Sequence, residues 1–371
     1  MPLLAAWLAV WVTVLSAQYV EVPITTPRWQ IVAAGRGQPA VMGDTAWFLT
    51  RTHDVFAVDI GTGRLRWRRS TGEPGDETLG SSVVAVDARI VAGDYALLAM
   101  DARSGERLWR FEPSDGYGPG LYLGDAGHGL VFAGSPAGRL YAVRAEDGVM
   151  AWSYRAAAEP KTTVFEPVSS GIDVAAGYTT FGSRQGGGVV LVDRDTGQER
   201  WRREFPGRGE EATGFGGGVV FCGDAVIASS GDGEIHAFDR RTGRLLWTLP
   251  AVVRSDGRRQ ERDWRALAAS GTTLVAGSAS GIITAWDVET RRERWRYAHP
   301  DGGSTGGHLT AGDAVLYVPH LGGRLVSIDL REGRPRWQTG GWADGFIWAP
   351  TMSRRGVYAV GSHAGLVELP H

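Results

Sequence analysis

The 371-residue chain contains one cysteine, Cys222, and one lysine, Lys161. A single thiol can neither close an internal disulfide nor build a cysteine-based metal site of the usual kind, so burial of apolar residues must hold the fold together. Cys222 is expected as a small buried hydrophobe. An excess of charge is missing too: the formal net charge is −2, with 22% of residues charged. A nucleic-acid partner is therefore not expected, because neutralising phosphates requires a basic face with positive charge to spare. No H-E-x-x-H pair or P-loop occurs, so the enzyme classes those signatures mark find no support.

A long hydrophobic run is also lacking. Leu3 to Ala17 is uncharged over fifteen residues, whereas a bilayer span needs about 20. This stretch, followed by the polar QYVEVPITTPRW, is expected to be a signal peptide over residues 1–17, with residues 18–25 as a linker. It places the mature chain outside the cytoplasm, secreted or in the periplasm and cell envelope. A short uncleaved anchor, giving membrane association, is the alternative. No cysteine follows the run closely enough to carry a lipid.

What the chain has in abundance is glycine, 54 residues, and tryptophan, 15. Both are organised by a repeat. Seven segments, VFAVDIGTGRLRW, LLAMDARSGERLW, LYAVRAEDGVMAW, VVLVDRDTGQERW, IHAFDRRTGRLLW, ITAWDVETRRERW and LVSIDLREGRPRW, share the pattern D-x3-G-x3-W. Arg144 replaces the aspartate in the third copy and Arg291 the glycine in the sixth, while Trp67, Trp109, Trp152, Trp201, Trp247, Trp295 and Trp337 are invariant. Each copy reads as an apolar strand, a polar turn and a second strand ending at tryptophan. The turn chemistry suits the residues: aspartate hydrogen-bonds nearby backbone, and glycine accepts positive φ. Upstream of each copy lies another apolar strand, such as TAWFLT or AVLYVP, and before it a glycine-rich one. Four antiparallel strands per repeat predict a propeller blade.

The tryptophan spacings of 42, 43, 49, 46, 48 and 42 residues match or slightly exceed one blade each. Residues Ala349 to Leu369 supply three more strands but stop where the motif aspartate would stand. The segment TPRWQIV, residues 26–32, carries Trp29 with no strands of its own before it, and fits as the missing outer strand. An all-β, eight-bladed propeller over residues 26–370 results, closed by its N-terminal strand so that no sheet edge stays open in the ring.

The D-x3-G-x3-W unit behind a strand of the type LYAxD resembles the PQQ-like propeller repeat, over residues 26–370. The resemblance implies the fold strongly and the function weakly. It implies that the eight motif tryptophans wedge neighbouring blades apart. Members include quinoprotein alcohol dehydrogenases, which carry pyrroloquinoline quinone (PQQ) and calcium on the axis under a vicinal cysteine pair, and a non-catalytic eight-bladed propeller of outer-membrane assembly. One cysteine excludes the vicinal pair, and no D-x-D-x-D cluster offers calcium ligands; Asp232 in SSGDGE reads as a turn residue. A non-catalytic, monomeric binding scaffold without cofactor is the expectation, with a PQQ and calcium dehydrogenase of alcohols or sugars as the alternative.

Antiparallel order puts the link between blades on the same face as the hairpin joining a blade's second and third strands. On that face lies the arginine-rich segment 251–264, carrying Arg258 and Arg259 and ending at Trp264 and Arg265, and the segment TGGWADGFIWAP, with Trp342, Asp344, Phe346 and Trp348 outside the motif. These are the candidate contacts for a protein or extracellular polymer, Trp342 and Trp348 being equally suited to core packing. His53, His320 and His363 fall in second-to-third-strand hairpins of blades consecutive around the ring, with His308 nearby. They are candidate metal ligands if the hairpins converge, and plain surface histidines if the blades diverge. Deleting residues 26–32 is expected to open the ring, seen as a lowered thermal midpoint and aggregation on size-exclusion chromatography.

Overall fold

The structure, a computed structural model, describes residues 22–72, 82–93, 95–114, 120–157, 161–181, 186–206, 218–250, 264–278, 280–300, 304–305, 307–342 and 348–371. All regular structure among them is β. Eight antiparallel sheets form the blades of a propeller. With strands lettered a to d from the axis outwards, blade one comprises Gly35–Met42, Thr45–Thr50, Asp54–Asp59 and Leu65–Ser70. The other blades follow the same order, as expected from the repeat.

Burial follows position in the blade. Strand b is covered on both faces by adjoining blades, so Thr45–Thr50 and Val315–His320 are buried at every residue and read as continuous apolar runs. Strand d is the outer edge, where Leu65–Ser70 buries one residue, Trp67, and exposes charged neighbours. Blade four departs from the pattern: its innermost strand is split into Thr162–Val164 and Val168–Ser170 around Pro167, a residue with no N–H for a ladder.

The motif turn is built as its residues require. In blade one, Asp59 Oδ1 accepts from the Thr62 N–H and hydroxyl, both at 2.9 Å, and the Gly63 N–H closes the turn on the Asp59 carbonyl at 2.8 Å. Gly63 has φ of 68°. A second demand on this glycine is tertiary and invisible in the repeat itself. A Cβ on Gly63 would lie 2.5 Å from the Trp29 ring, one on Gly105 2.8 Å from Trp67, and one on Gly333 2.5 Å from Trp295. Each motif tryptophan therefore lies flat on the motif glycine of the following blade.

The indole N–H completes the joint. Trp29 donates to the Ile60 carbonyl, Trp67 to Ala102, Trp109 to Ala145, Trp152 to Arg194, Trp201 to Arg240 and Trp295 to Leu330, at 2.8–3.3 Å. In every case the acceptor directly follows the position of the motif aspartate. Two joints differ. Trp247 faces blade six, where Arg291 holds the glycine position at φ 59°. Its ring is only half-buried and its N–H has no such partner among the described residues. Trp337 faces blade eight, whose outer strand comes from the N-terminal segment so that no c–d turn joins it to strand c, and its buried N–H has no acceptor among the described residues.

Blade eight closes the ring as the sequence suggests. Trp29–Ile31 pairs antiparallel with Gly365–Leu369, placing Trp29 opposite Glu368. Five other blades put alanine opposite the tryptophan, as Ala57 does for Trp67, while blades four and seven put Leu191 and Ser327 there. The buried Glu368 carboxylate is held by Arg28 at 3.3 Å and Arg355 at 3.5 Å, and accepts from the Tyr358 hydroxyl. Ile24 and Thr25, at the end of the stretch read as a linker, add a short parallel strand to the outer edge of blade seven, beside Gln338 and Thr339. Residues 1–21, including the expected signal peptide, lie outside the described residues.

Cys222 is buried between blades five and six, its thiol donating to the Gly271 carbonyl at 3.3 Å. Burial, and then the nearby Asp287 carboxylate, pushes this thiol up to about 11, and burial pushes the Tyr317 hydroxyl up to about 12.

Two predictions follow from these contacts. Arg291→Gly is expected to stabilise the protein by about 1–2 kcal/mol, the cost of left-handed backbone in a residue with a Cβ, and Gly105→Ala to destabilise it; chemical denaturation checks both. For the raised groups, the folded state holds protons that the unfolded chain releases, so their stabilisation is complete below pH 9 and is lost as pH rises through about 11 for Cys222 and about 12 for Tyr317. Denaturation midpoints should fall across that alkaline window, and Cys222→Ala should remove the earlier part of the fall.

Candidate functional site

The two faces of the ring differ in how their charges are used. The face of the a–b hairpins and c–d turns is largely self-neutralised. Arg66 reaches Asp59 at 2.5 Å and Asp44 at 2.7 Å, and its guanidinium, with the Thr62 hydroxyl, holds the Asp59 carboxyl down to about 2. Arg200 pairs with Asp193 at 2.8 Å in blade four, and Arg294 with Asp287 in blade six. The spacing is the same each time: an arginine near the start of strand d turns back onto the aspartate at the end of strand c.

The opposite face carries the b–c hairpins and the links between blades, and here the candidate contacts gather. Trp342 follows the last strand of blade seven. Its N–H donates to the Gly323 carbonyl at 3.0 Å, and a Cβ on Gly323 would lie 1.8 Å from the Trp342 carbonyl oxygen. The Trp342 segment is thus clamped to the b–c hairpin of its own blade, and its half-buried ring packs against the core shared by blades seven and eight. Trp348 is half-buried next to Ala349 and Pro350, where the Thr310 hydroxyl donates to the Pro350 carbonyl at 2.6 Å. Trp342 and Trp348 each keep part of their surface in solvent. Trp264 opens the innermost strand of blade six, Trp264–Ser270, with Trp264 paired to Ser278 and Arg265 beside it. Arg258, Arg259, Asp344 and Phe346 lie outside the described residues.

The histidines do not assemble as the hairpin count suggests. His53 is buried with φ of 59°, His320 is buried, and His363 and His308 are exposed. Among the described residues the three hairpin histidines form no metal-capable group. His320 instead packs against His299, with ring centroids 4.6 Å apart and planes tilted by 39°, and His299 Nε2 meets Gln338 Oε1 at 3.0 Å.

A different cluster does form. Asp232, Glu234 and His236, in the b–c hairpin and following strand of blade five, bring one ligating atom each to within 4.8 Å of one another. Asp232 is a turn residue, as expected, but is buried among two other chemistry-bearing groups. The signal was in the sequence: D-x-E-x-H places three such residues at every second position, and alternate residues share one face of a strand.

The fold and these sites can now be set beside known proteins. The model of one family, described as outer membrane protein assembly factor BamB, matches residues 11–170 and 159–360. The assembly factor of that name from Burkholderia pseudomallei (strain K96243) is 26% identical over 302 residues, covering 80% of this chain and 71% of its own. The quinohemoprotein alcohol dehydrogenase ADH-IIG of Pseudomonas putida is 27% identical over 70% of this chain, but this accounts for 36% of that enzyme. Among solved structures, BamB from Moraxella catarrhalis superposes with a TM-score of 0.67 at 18% identity, over 93% of this chain and 97% of its own. By the span of the family match, which runs through blades one to seven and into blade eight, the chain belongs to the PQQ-like propeller family of the outer membrane protein assembly factor BamB.

Proposed function

We propose that the chain is a non-catalytic, monomeric scaffold of the cell envelope, whose rigid face of b–c hairpins and interblade links docks a protein partner in outer-membrane assembly. The observation that carries this reading is the family match from residue 11 to residue 360. Relatives from Burkholderia pseudomallei and Bordetella pertussis bear the name of assembly factors, which favours a protein partner over an extracellular polymer. The electrostatics agree: the c–d face spends its arginines on its own aspartates, while the opposite face holds aromatic rings that are neither fully exposed nor fully buried.

The contact set is Trp264, Arg265, Trp342, Asp344 and Trp348, with Arg258 and Arg259. Trp342 and Trp348 are the anchors, since a half-buried ring held by its backbone loses little freedom when a partner covers the rest. The quinone-dependent alternative does not suit the residues present. A quinone clamped by paired thiols needs two cysteines, and Cys222 is engaged with Gly271 between two blades.

The test is complementation. A strain lacking the chain is expected to show reduced outer-membrane β-barrel protein, restored by the wild type and at least halved in restoration by Trp342→Ala/Trp348→Ala, once circular dichroism shows that variant folded. Full restoration by the double variant would remove this rim. Dye reduction by the purified chain with PQQ, calcium and alcohol would overturn the non-catalytic reading.

A further inference from the structure

Blade five carries an arrangement that the scaffold role does not use. The segment Ser230 to His236 turns tightly, with the Gly233 N–H on the Ser230 carbonyl at 3.0 Å and the Ser230 N–H on the Glu234 carbonyl at 2.9 Å. The Asp232 side chain folds back over this turn and accepts from the Ser230 hydroxyl. Glu234, just before the third strand of the blade, and His236, within it, approach each other, with Glu234 Oε2 3.6 Å from His236 Nε2. Ser230 Oγ is 3.2 Å from the same nitrogen, and Thr248 Oγ1 on the outer strand is 3.1 Å from Nδ1. The imidazole is packed against the Phe205 ring of blade four at 4.8 Å, which fixes its plane.

The charges of this cluster are unlike those elsewhere in the ring. Buried carboxylates of the chain otherwise meet guanidinium groups: Asp54 meets Arg68 at 2.7 Å, Asp173 meets Arg240 at 2.6 Å, and Glu368 meets Arg28 at 3.3 Å. Asp232 is 6% exposed and the Glu234 side chain 17% exposed, yet among the described residues neither meets an arginine. Their partners are a neutral hydroxyl and an imidazole. Two carboxylates side by side out of water repel each other and lose hydration, a cost that a bound cation removes.

The donor set specifies which cation. One imidazole nitrogen, two carboxylate oxygens and an adjacent hydroxyl suit a borderline divalent ion better than calcium, which favours six or more oxygens. His236 Nδ1 lies 3.1 Å from Thr248 Oγ1; in the tautomer that donates from Nδ1 to this hydroxyl, the Nε2 lone pair faces the carboxylates, the outer-sphere arrangement that orients metal-bound histidine. Bonds of about 2.0–2.2 Å put tetrahedral ligand atoms roughly 3.5 Å apart, so a span of up to 4.8 Å closes by side-chain rotation without moving the strand. We propose that Asp232, Glu234 and His236 form a Zn²⁺ site, with Ser230 or water as the fourth ligand, clasping the b–c hairpin of blade five.

Isothermal titration of the tag-free, EDTA-treated full chain with ZnCl₂ tests this, with Co²⁺ absorption as the spectroscopic readout of ligand geometry. The expected result is one equivalent bound, a raised thermal midpoint and tetrahedral Co²⁺ bands. Asp232→Asn, Glu234→Gln and His236→Gln should each weaken binding at least tenfold, and His363→Gln should leave it unchanged. The three ligand variants preserve side-chain size, and folding of each is checked by circular dichroism. Absence of saturable binding, binding indifferent to all three variants, or preference for Ca²⁺ over Zn²⁺ would overturn the site. None of these outcomes bears on complementation by the Trp342/Trp348 variant, so the two proposals fail separately.

Discussion

The ring rests on one contact made between neighbours: the indole of a motif tryptophan lying on the bare Cα of the next blade's glycine, its N–H on the adjacent carbonyl. Any Cβ at Gly63, Gly105 or Gly333 would enter the ring of the tryptophan beneath. The joint combines a large apolar area with a hydrogen bond that would otherwise be lost on burial. Because the full joint is made across six of the eight blade boundaries, the packing of one blade depends on that of its neighbours. Closure is therefore part of the stability of every blade, and the N-terminal strand carrying Trp29 completes the last sheet and wedges the first blade at once.

The two irregular joints show what the contact requires. Blade six keeps the turn with Arg291 in left-handed backbone, but Trp247 is left less buried. At closure the outer strand of blade eight comes from the N-terminal segment, so no c–d turn joins it to strand c, and the buried Trp337 N–H has no acceptor among the described residues. The same junction holds Glu368 opposite its tryptophan, where five of the other blades hold alanine, with Arg28 and Arg355 converging on it. Closure thus replaces a missing apolar joint with an ionic one joining the first outer strand to the last blade.

A scaffold so uniform leaves individuality to its hairpins and links. The c–d turns of blades one, four and six repeat one arginine–aspartate exchange. The b–c hairpins and links differ from blade to blade, carrying a close histidine pair in one place, a cluster of two carboxylates and a histidine in another and a clamped tryptophan in a third. This explains how assembly factors and dehydrogenases can share the ring: the wedges constrain the blades, and chemistry is placed at rims that the wedges do not touch.

The repeat alone determined the blade count, the strand order, the closure by residues 26–32 and the structural role of the tryptophans, because a period-two apolar pattern and a recurring turn are local properties. It also showed the residue types of the rim. What only the tertiary structure decided is which of these meet. That Gly63 serves Trp29, 34 residues earlier in the chain, that His320 packs against His299, and that Asp232 is buried beside Glu234 and His236 with no guanidinium among the described residues all depend on the packing of one sheet and its links on the next. Those distances are set by contacts between repeats, and a pattern read within one repeat carries no record of them.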